Sequence, residues 1–164
     1  MNTLTLYLDM DGVLANFEKE FKRENPDKFD RQRFRDAVLK SHIFEKLEMM
    51  PDAHVLLDHV AKNRNLKIEI LTSMGTFDPF QGAETKKQKL LWLRTHNIHY
   101  PANFVRTKQE KANFANENTI LIDDSLGCIE PFVLKGGIGI LHSDARTSIL
   151  KLDNAILQIK AMSV

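Results

Sequence analysis

Cysteine is almost missing from this chain of 164 residues, where Cys128 is the only one. A single thiol cannot form an intramolecular disulfide, so the fold must rest on its apolar core, and the count fits a reducing, cytoplasmic setting. No run of 18 apolar residues occurs, and the first residues lack a basic segment leading into an apolar stretch. The sequence therefore predicts a soluble protein with no spanning helix and no secretory leader. Excess charge is also lacking. The 23 Lys and Arg residues against 22 Asp and Glu leave a formal charge of +1. That balance gives no electrostatic reason to expect a nucleic-acid polymer or a membrane as partner. There is no internal repeat, low-complexity tract or linker, and the length suits one domain with a sizeable core.

What is present is organised around Thr5 to Phe17, read TLYLDMDGVLANF. Leu4, Leu6 and Leu8 alternate with Thr5 and Tyr7, which predicts a strand with two distinct faces. Asp9 and Asp11 follow at its C-terminal end, and Gly12 then lets the backbone turn tightly. Taken alone, Asp-Gly is also what a simple turn after a strand requires. Two carboxylates so close repel each other, however, and burying either one costs free energy. A hard divalent cation with oxygen ligands relieves that repulsion.

Further along, the pattern predicts helices over 14–23 and 31–39, with Asn25-Pro26-Asp27 as the break between them. Pro51 opens a third helix, 52–63, with Val55, Leu56, His59 and Val60 inward. Residues 67–73 form the second strand, 77–82 a loop, and 85–97 a helix built on Leu90, Leu91, Trp92 and Leu93. A short strand at 103–105 precedes Thr107 and Glu110, spaced as a capping box for a helix through Ala115. Strands at 119–122 and 138–141 and a helix at 148–162 complete the order. Strands alternating with helices predict an α/β fold, a Rossmann-like doubly wound parallel sheet with a helical insertion after the first strand. Ligands of such sheets bind beyond the carboxyl ends of the strands. Asp9 and Asp11, Thr72 and Ser73, and Asp123 and Asp124 each fall at such an end.

Carboxylates and hydroxyls gathered on one rim suit a Mg²⁺ site that handles phosphate. An aspartate there can act as nucleophile, and a second carboxylate can move the proton. A lysine would supply fixed positive charge.

These residues carry a resemblance. LDMDGVLANF resembles the first motif of the haloacid dehalogenase superfamily, and ILTS and ILIDD resemble its second and fourth motifs. Within that superfamily the sequence is most similar to the 5'(3')-deoxyribonucleotidase family, from Leu4 to about His142. The resemblance implies the haloacid dehalogenase-like sheet with residues 18–50 as a small helical cap. It implies Asp9 as nucleophile, Asp11 as general acid and base, and Thr72 and Ser73 as phosphate-holding hydroxyls. Mg²⁺ would be bound by Asp9, the backbone carbonyl of Asp11 and Asp124, with Asp123 in support. Phe17, Ile43 and Phe44 would meet the nucleoside, and the implied substrate is a small phosphorylated molecule, a deoxynucleotide.

Two candidates stand for the lysine of the third motif. Arg106-Thr107-Lys108 matches an arginine-x-lysine of the family, whereas Lys111 shares a helix face with Phe114 and Ala115 that should turn toward the sheet. The face argument favours Lys111 as the catalytic lysine, with Arg106 and Lys108 left to the substrate. Glu45 departs from the family's apolar cap, which bears on base and sugar preference. Lys86, Lys87 and Lys89 read most simply as a solvated helix face near incoming phosphate, and Cys128 as a buried small residue. His42, His59, His96 and His142 show no metal-ligand spacing. Another class, the phospho-receiver domain, also carries acidic residues, a hydroxyl and a lysine on a parallel sheet. It places the acidic pair first and the phosphoacceptor mid-chain, the reverse of the order here. A phosphatase acting on another small phosphomonoester and a non-catalytic binding domain complete the alternatives.

Overall fold

The computed structural model describes residues 3–26 and 29–163. Met1, Asn2, Asp27, Lys28 and Val164 lie outside it, so the Asp27 end of the predicted helix break is outside the described residues. Five strands form one sheet in the order β3-β2-β1-β4-β5. They are β1 (Leu4–Leu8), β2 (Leu66–Ser73), β3 (Ala102–Val105), β4 (Thr119–Asp123) and β5 (Ile138–Leu141). Every pairing is parallel, as the alternation of strands and helices predicts.

The central strand shows why both faces of the sheet are covered. Leu4, Leu6 and Leu8 enter one apolar cluster, together with Ile70, Ile120 and Ile122. Tyr7, Leu71 and Leu121 enter another, against Ile129 and Phe132. Alternate residues of a strand point to opposite faces, so a sheet apolar on both faces must be sandwiched between helices. Burying each large aliphatic side chain of this kind is worth about 1.5–3 kcal/mol.

The helices are α1 (Phe17–Glu24), α2 (Arg31–Leu39), α3 (Ala53–Ala61), α4 (Pro79–Thr95), α5 (Leu126–Leu134) and α6 (Ala145–Met162). Helix α1 starts three residues later than expected. Met10 O accepts from the amides of Val13, Leu14 and Ala15, and Gly12 N donates to Ala15 O, so the chain turns there instead of entering a helix. Asn16 then caps α1 by accepting from Lys19 N. Helix α4 starts earlier than expected, because Asp78 caps it and Pro79 fits its first turn. Thr107 makes no capping bond, and Glu110 accepts from Arg106 N instead, so 108–114 is a 3-10 turn and not an α-helix.

The segment between β1 and α3 leaves the sheet as α1 and α2. It returns through a 3-10 turn at Ile43–Glu45 and is fastened where it re-enters. Asn16 N donates to Glu48 O, and Met50 N to Leu14 O, each at 2.8 Å. Val55 is exposed and His59 half-buried, leaving Leu56 and Val60 as the inner face of α3.

Candidate active site

The C-terminal ends of β1, β2 and β4 meet beside a cavity of about 1050 Å³. Asp9, Asp11, Ser73, Arg106, Lys108, Lys111, Asp123 and Asp124 all contribute to its wall, so four separate stretches of sequence reach one place. Lys111 lies between the carboxylates. Its Nζ donates to Asp9 Oδ1 at 2.8 Å and to Asp123 Oδ2 at 2.6 Å, with all three side chains buried. Burial alone would lower the Lys111 pKa, but the charges of Asp9 and Asp123 outweigh it and hold the ammonium well above its ordinary value. The 3-10 turn presents Lys111 inward, as the helix-face argument predicted, although no α-helix forms. Lys108 stays exposed at the rim, where it donates to Ser125 Oγ at 3.3 Å.

Asp124 faces the cavity. Much of its surface is exposed, yet protein atoms crowd its carboxyl, and Asp9, Asp123 and Asp11 add like charge. Its pKa is pushed up to about 7 by that enclosure first and the neighbouring charges second. Gly12 makes this approach possible. Its φ is 84°, and a Cβ there would lie 2.0 Å from Asp124 Oδ2. Carboxylate oxygens of Asp9, Asp123 and Asp124 can lie within 4.8 Å of one another. An all-oxygen donor set in which burial and then like charge still raise the Asp124 pKa, despite Lys111, is what a hard divalent cation fits. His42, Glu45 and Glu84 also bring ligand atoms together, on exposed surface, where Glu84 already accepts from Gln88.

A pH dependence follows. The folded pKa of Asp124 is raised above its ordinary 3.8, so its contribution to stability is fully present below that value and is lost as pH rises through about 7. In chelator, the melting temperature should fall as the pH rises from about 5 to about 8. Mg²⁺ should flatten that dependence. Burial lowers the His142 pKa and so works the opposite way in this window, which makes Asp124→Asn the control: it should lose part of the fall, and an unchanged slope in that variant would contradict the placement of Asp124.

The two hydroxyls of β2 part company. Ser73 lines the cavity; its hydroxyl accepts from Gly75 N at 3.1 Å and donates to Arg106 O at 3.3 Å. Thr72 is fully buried and does not line the cavity, because its hydroxyl accepts from Lys89 at 2.7 Å. Lys89 is the residue that the sequence reading missed. Lys86 and Lys87 are exposed as expected, but Lys89 is fully buried and also donates to Asp11 Oδ2 at 2.8 Å. Asp11 itself has a pKa raised above the ordinary range by burial, in opposition to Lys89. The helix α4 is thus amphipathic in an unexpected sense: Leu90 and Leu91 are exposed, while Thr85, Gln88 and Lys89 are buried. The available signal was Trp92, since its neighbours three, four and seven positions back are Lys89, Gln88 and Thr85.

The expected nucleoside contacts separate in the same way. Phe17 lines the cavity, stacked 5.4 Å from Phe21 and 5.4 Å from Phe44. Phe44 also lines it but is almost wholly buried, with Lys89 Nζ 4.6 Å from its ring centre. Ile43 is fully buried and does not reach the cavity, because the turn that it opens packs on α4. Glu45 is exposed and does not reach the cavity either. Two aromatics that the sequence did not single out stand open at the wall, Phe29 at 60% exposure and Phe77 at 63%. The Arg106 guanidinium lies 5.1 Å from the Phe77 ring centre. Cys128 is buried at the cavity floor, and burial pushes its thiol up to about 12, which leaves it an unreactive thiol.

No family model and no curated protein matches this sequence. Solved structures do match its fold. A haloacid dehalogenase-like family hydrolase from Xanthomonas campestris superposes with a TM-score of 0.61 at 12% identity, covering 96% of this chain and 98% of its own. A hydrolase from Streptococcus pneumoniae gives 0.57 at 12% identity over 93% and 100% of the two chains. D,D-heptose 1,7-bisphosphate phosphatase from Burkholderia thailandensis gives 0.52 at 13% identity over 91% and 97%. The architecture of this chain is therefore the Rossmann-type α/β fold found in haloacid dehalogenase-like hydrolases.

Proposed function

We propose that this protein is a Mg²⁺-dependent phosphohydrolase that removes phosphate from (deoxy)ribonucleoside monophosphates through an aspartyl-phosphate. The observation that carries the reading is Lys111, a buried ammonium shared by Asp9 and Asp123 at the cavity floor. Its ammonium engages only one Asp9 oxygen, Oδ1; among the described residues no hydrogen bond reaches Oδ2. That oxygen is free to attack phosphorus, while Lys111 offsets the negative charge that builds up there.

In the first step, an Asp9 oxygen bonds to phosphorus, the ester P–O bond breaks, and the departing oxygen takes a proton from Asp11. In the second step, water gives its proton to Asp11 and attacks phosphorus. The acyl-phosphate P–O bond then breaks, and Asp9 is restored with inorganic phosphate released. Ser73 and Lys108, both on the cavity wall, would hold phosphate oxygens. Asp9, Asp124 and the Asp11 carbonyl would hold Mg²⁺, with Asp123 in support. When bound, the ion offsets the charge of the phosphoryl group and the repulsion among the carboxylates.

Phe17, Phe29 and Phe77 along the cavity wall support a base as the leaving group's far end. Stacking on an aromatic face is worth about 1–3 kcal/mol per base. Phe77→Ala should therefore lower kcat/KM for a nucleoside monophosphate by roughly ten- to a hundredfold, while p-nitrophenyl phosphate changes little. Equal losses on both substrates would assign Phe77 to folding, and no loss on either would remove the base from this wall.

A second reading is a phosphatase of another small, strongly anionic phosphomonoester. Arg31, Arg35, Arg106 and Lys108 around the same cavity favour it. Released phosphate from a panel of nucleotides and sugar phosphates, with and without Mg²⁺, decides between the two. A protein inert on the whole panel would refute both.

A further inference from the structure

Lys89 is buried, charged and absent from the cavity wall, so it does not touch a substrate bound there. An ammonium has three protons to donate, and each has an acceptor here. They are Asp11 Oδ2 at 2.8 Å, Thr72 Oγ1 at 2.7 Å and Ser73 O at 2.9 Å. Two of those acceptors belong to the end of β2, so the cation is fixed to the sheet, and the Asp11 carboxyl is fixed through the cation. The consequence shows in the other oxygen. Asp11 Oδ1 is buried without any hydrogen-bond partner among the described residues, although Asp11 lines the cavity. Buried acceptors are normally satisfied, and an orphan beside a cavity is a group whose partner arrives with the ligand.

We propose that Lys89 is a positioning residue that occupies Oδ2 of Asp11 and thereby leaves Oδ1 as the single oxygen that exchanges a proton with the substrate. The inference rests on the phosphohydrolase reading and deepens it, because it says how one carboxyl serves in two successive steps without reorienting. Held at Oδ2, the carboxyl cannot rotate. The oxygen that gives its proton to the leaving group is then the oxygen that recovers one from water. A merely structural alternative exists: Lys89 could fill space between Phe44 and the sheet, since the Phe44 ring centre is 4.6 Å from its Nζ.

The test compares phenyl phosphate with p-nitrophenyl phosphate, which are similar in shape but differ in how much the leaving oxygen needs a proton. The relevant constant is kcat/KM, which reports formation of the phosphoenzyme. Lys89→Met keeps the length of the side chain and removes its charge. It should lower kcat/KM for phenyl phosphate by roughly a hundredfold and for p-nitrophenyl phosphate by less than about tenfold. A side chain that only fills space would lower both in parallel, and that result, or no loss on either, overturns the proposal. Should Lys89→Met leave Asp11 unpaired and unfold, Asp11→Asn with Lys89→Met leaves no unpaired charge. Relative to Asp11→Asn alone, the double variant should lose less than about threefold further, and a larger extra loss overturns the proposal. A parent protein that releases phosphate from neither ester overturns the phosphohydrolase reading and the role of Lys89 with it. An active parent with parallel losses overturns the role of Lys89 alone.

Discussion

Asp9→Asn should abolish phosphate release while leaving the fold intact. The amide has nearly the shape of the carboxylate, and the neighbouring strand and Lys111 still surround it. What disappears is the negatively charged oxygen that bonds to phosphorus. Asp11 is held by Lys89, Asp123 has one oxygen on Lys111 and the other on Ser125 N, and Asp124 stands across the site at Gly12. None is placed to substitute. Turnover should fall by more than about a thousandfold, equivalent to about 4 kcal/mol of barrier. Acid-quenched parent protein should carry covalent phosphate, and the variant none. Activity within a few-fold of the parent would rule out the aspartyl-phosphate route.

Lys111→Met should damage both stability and catalysis. Lys111 is the buried counter-charge of two buried carboxylates. Removing one partner of such a group leaves uncompensated charge, at a cost of about 3–5 kcal/mol. For a domain of this size that corresponds to a fall of roughly 10 °C in melting temperature. The variant also loses the cation that opposes charge on the transferring phosphoryl group, so the surviving folded protein should turn over at least about a hundredfold more slowly. Lys108→Ala is the informative companion. Its side chain is exposed at the rim with one long bond to Ser125, so stability should change by about 0.5 kcal/mol or less. The expected effect on catalysis is a higher KM. Matching phenotypes for the two lysines would mean that the buried cation has been misjudged.

These expectations rest on unequal footings in the sequence. The strands were legible because their signal is local. Alternation in Leu4 to Leu8 and the apolar run at Ile120 to Ile122 require two covered faces. Parallel order then places every strand's C-terminal end on one rim, which is why Asp9, Asp11, Thr72, Ser73, Asp123 and Asp124 could be grouped before any contact was known, although Thr72 is buried away from the cavity. Lys111 was found the same way, by the face that it shares with Phe114 and Ala115. Its inward direction survived even though the turn proved to be 3-10. The early start of α4 is also written locally, in Asp78 and Pro79.

The sequence alone thus determined the sheet, its functional edge and the acidic set. Which lysine of α4 is buried was decided by tertiary structure. Lys86, Lys87 and Lys89 have the same side chain within four positions, and the Trp92 face marks only which side of α4 Lys89 lies on, not that a buried partner awaits its charge. Lys89 is buried because Asp11, 78 residues earlier in the chain, and Thr72 arrive opposite it with acceptors for its protons. The aromatics obey the same rule. Phe44 is covered and Phe77 open because of what packs on each, with Phe17, Phe34 and Lys89 against one and the Arg106 guanidinium beside the other. A side chain's intrinsic chemistry is carried by its own residue, but the free energy of burying it depends on partners supplied by distant parts of the chain. Only the folded molecule brings those partners within reach.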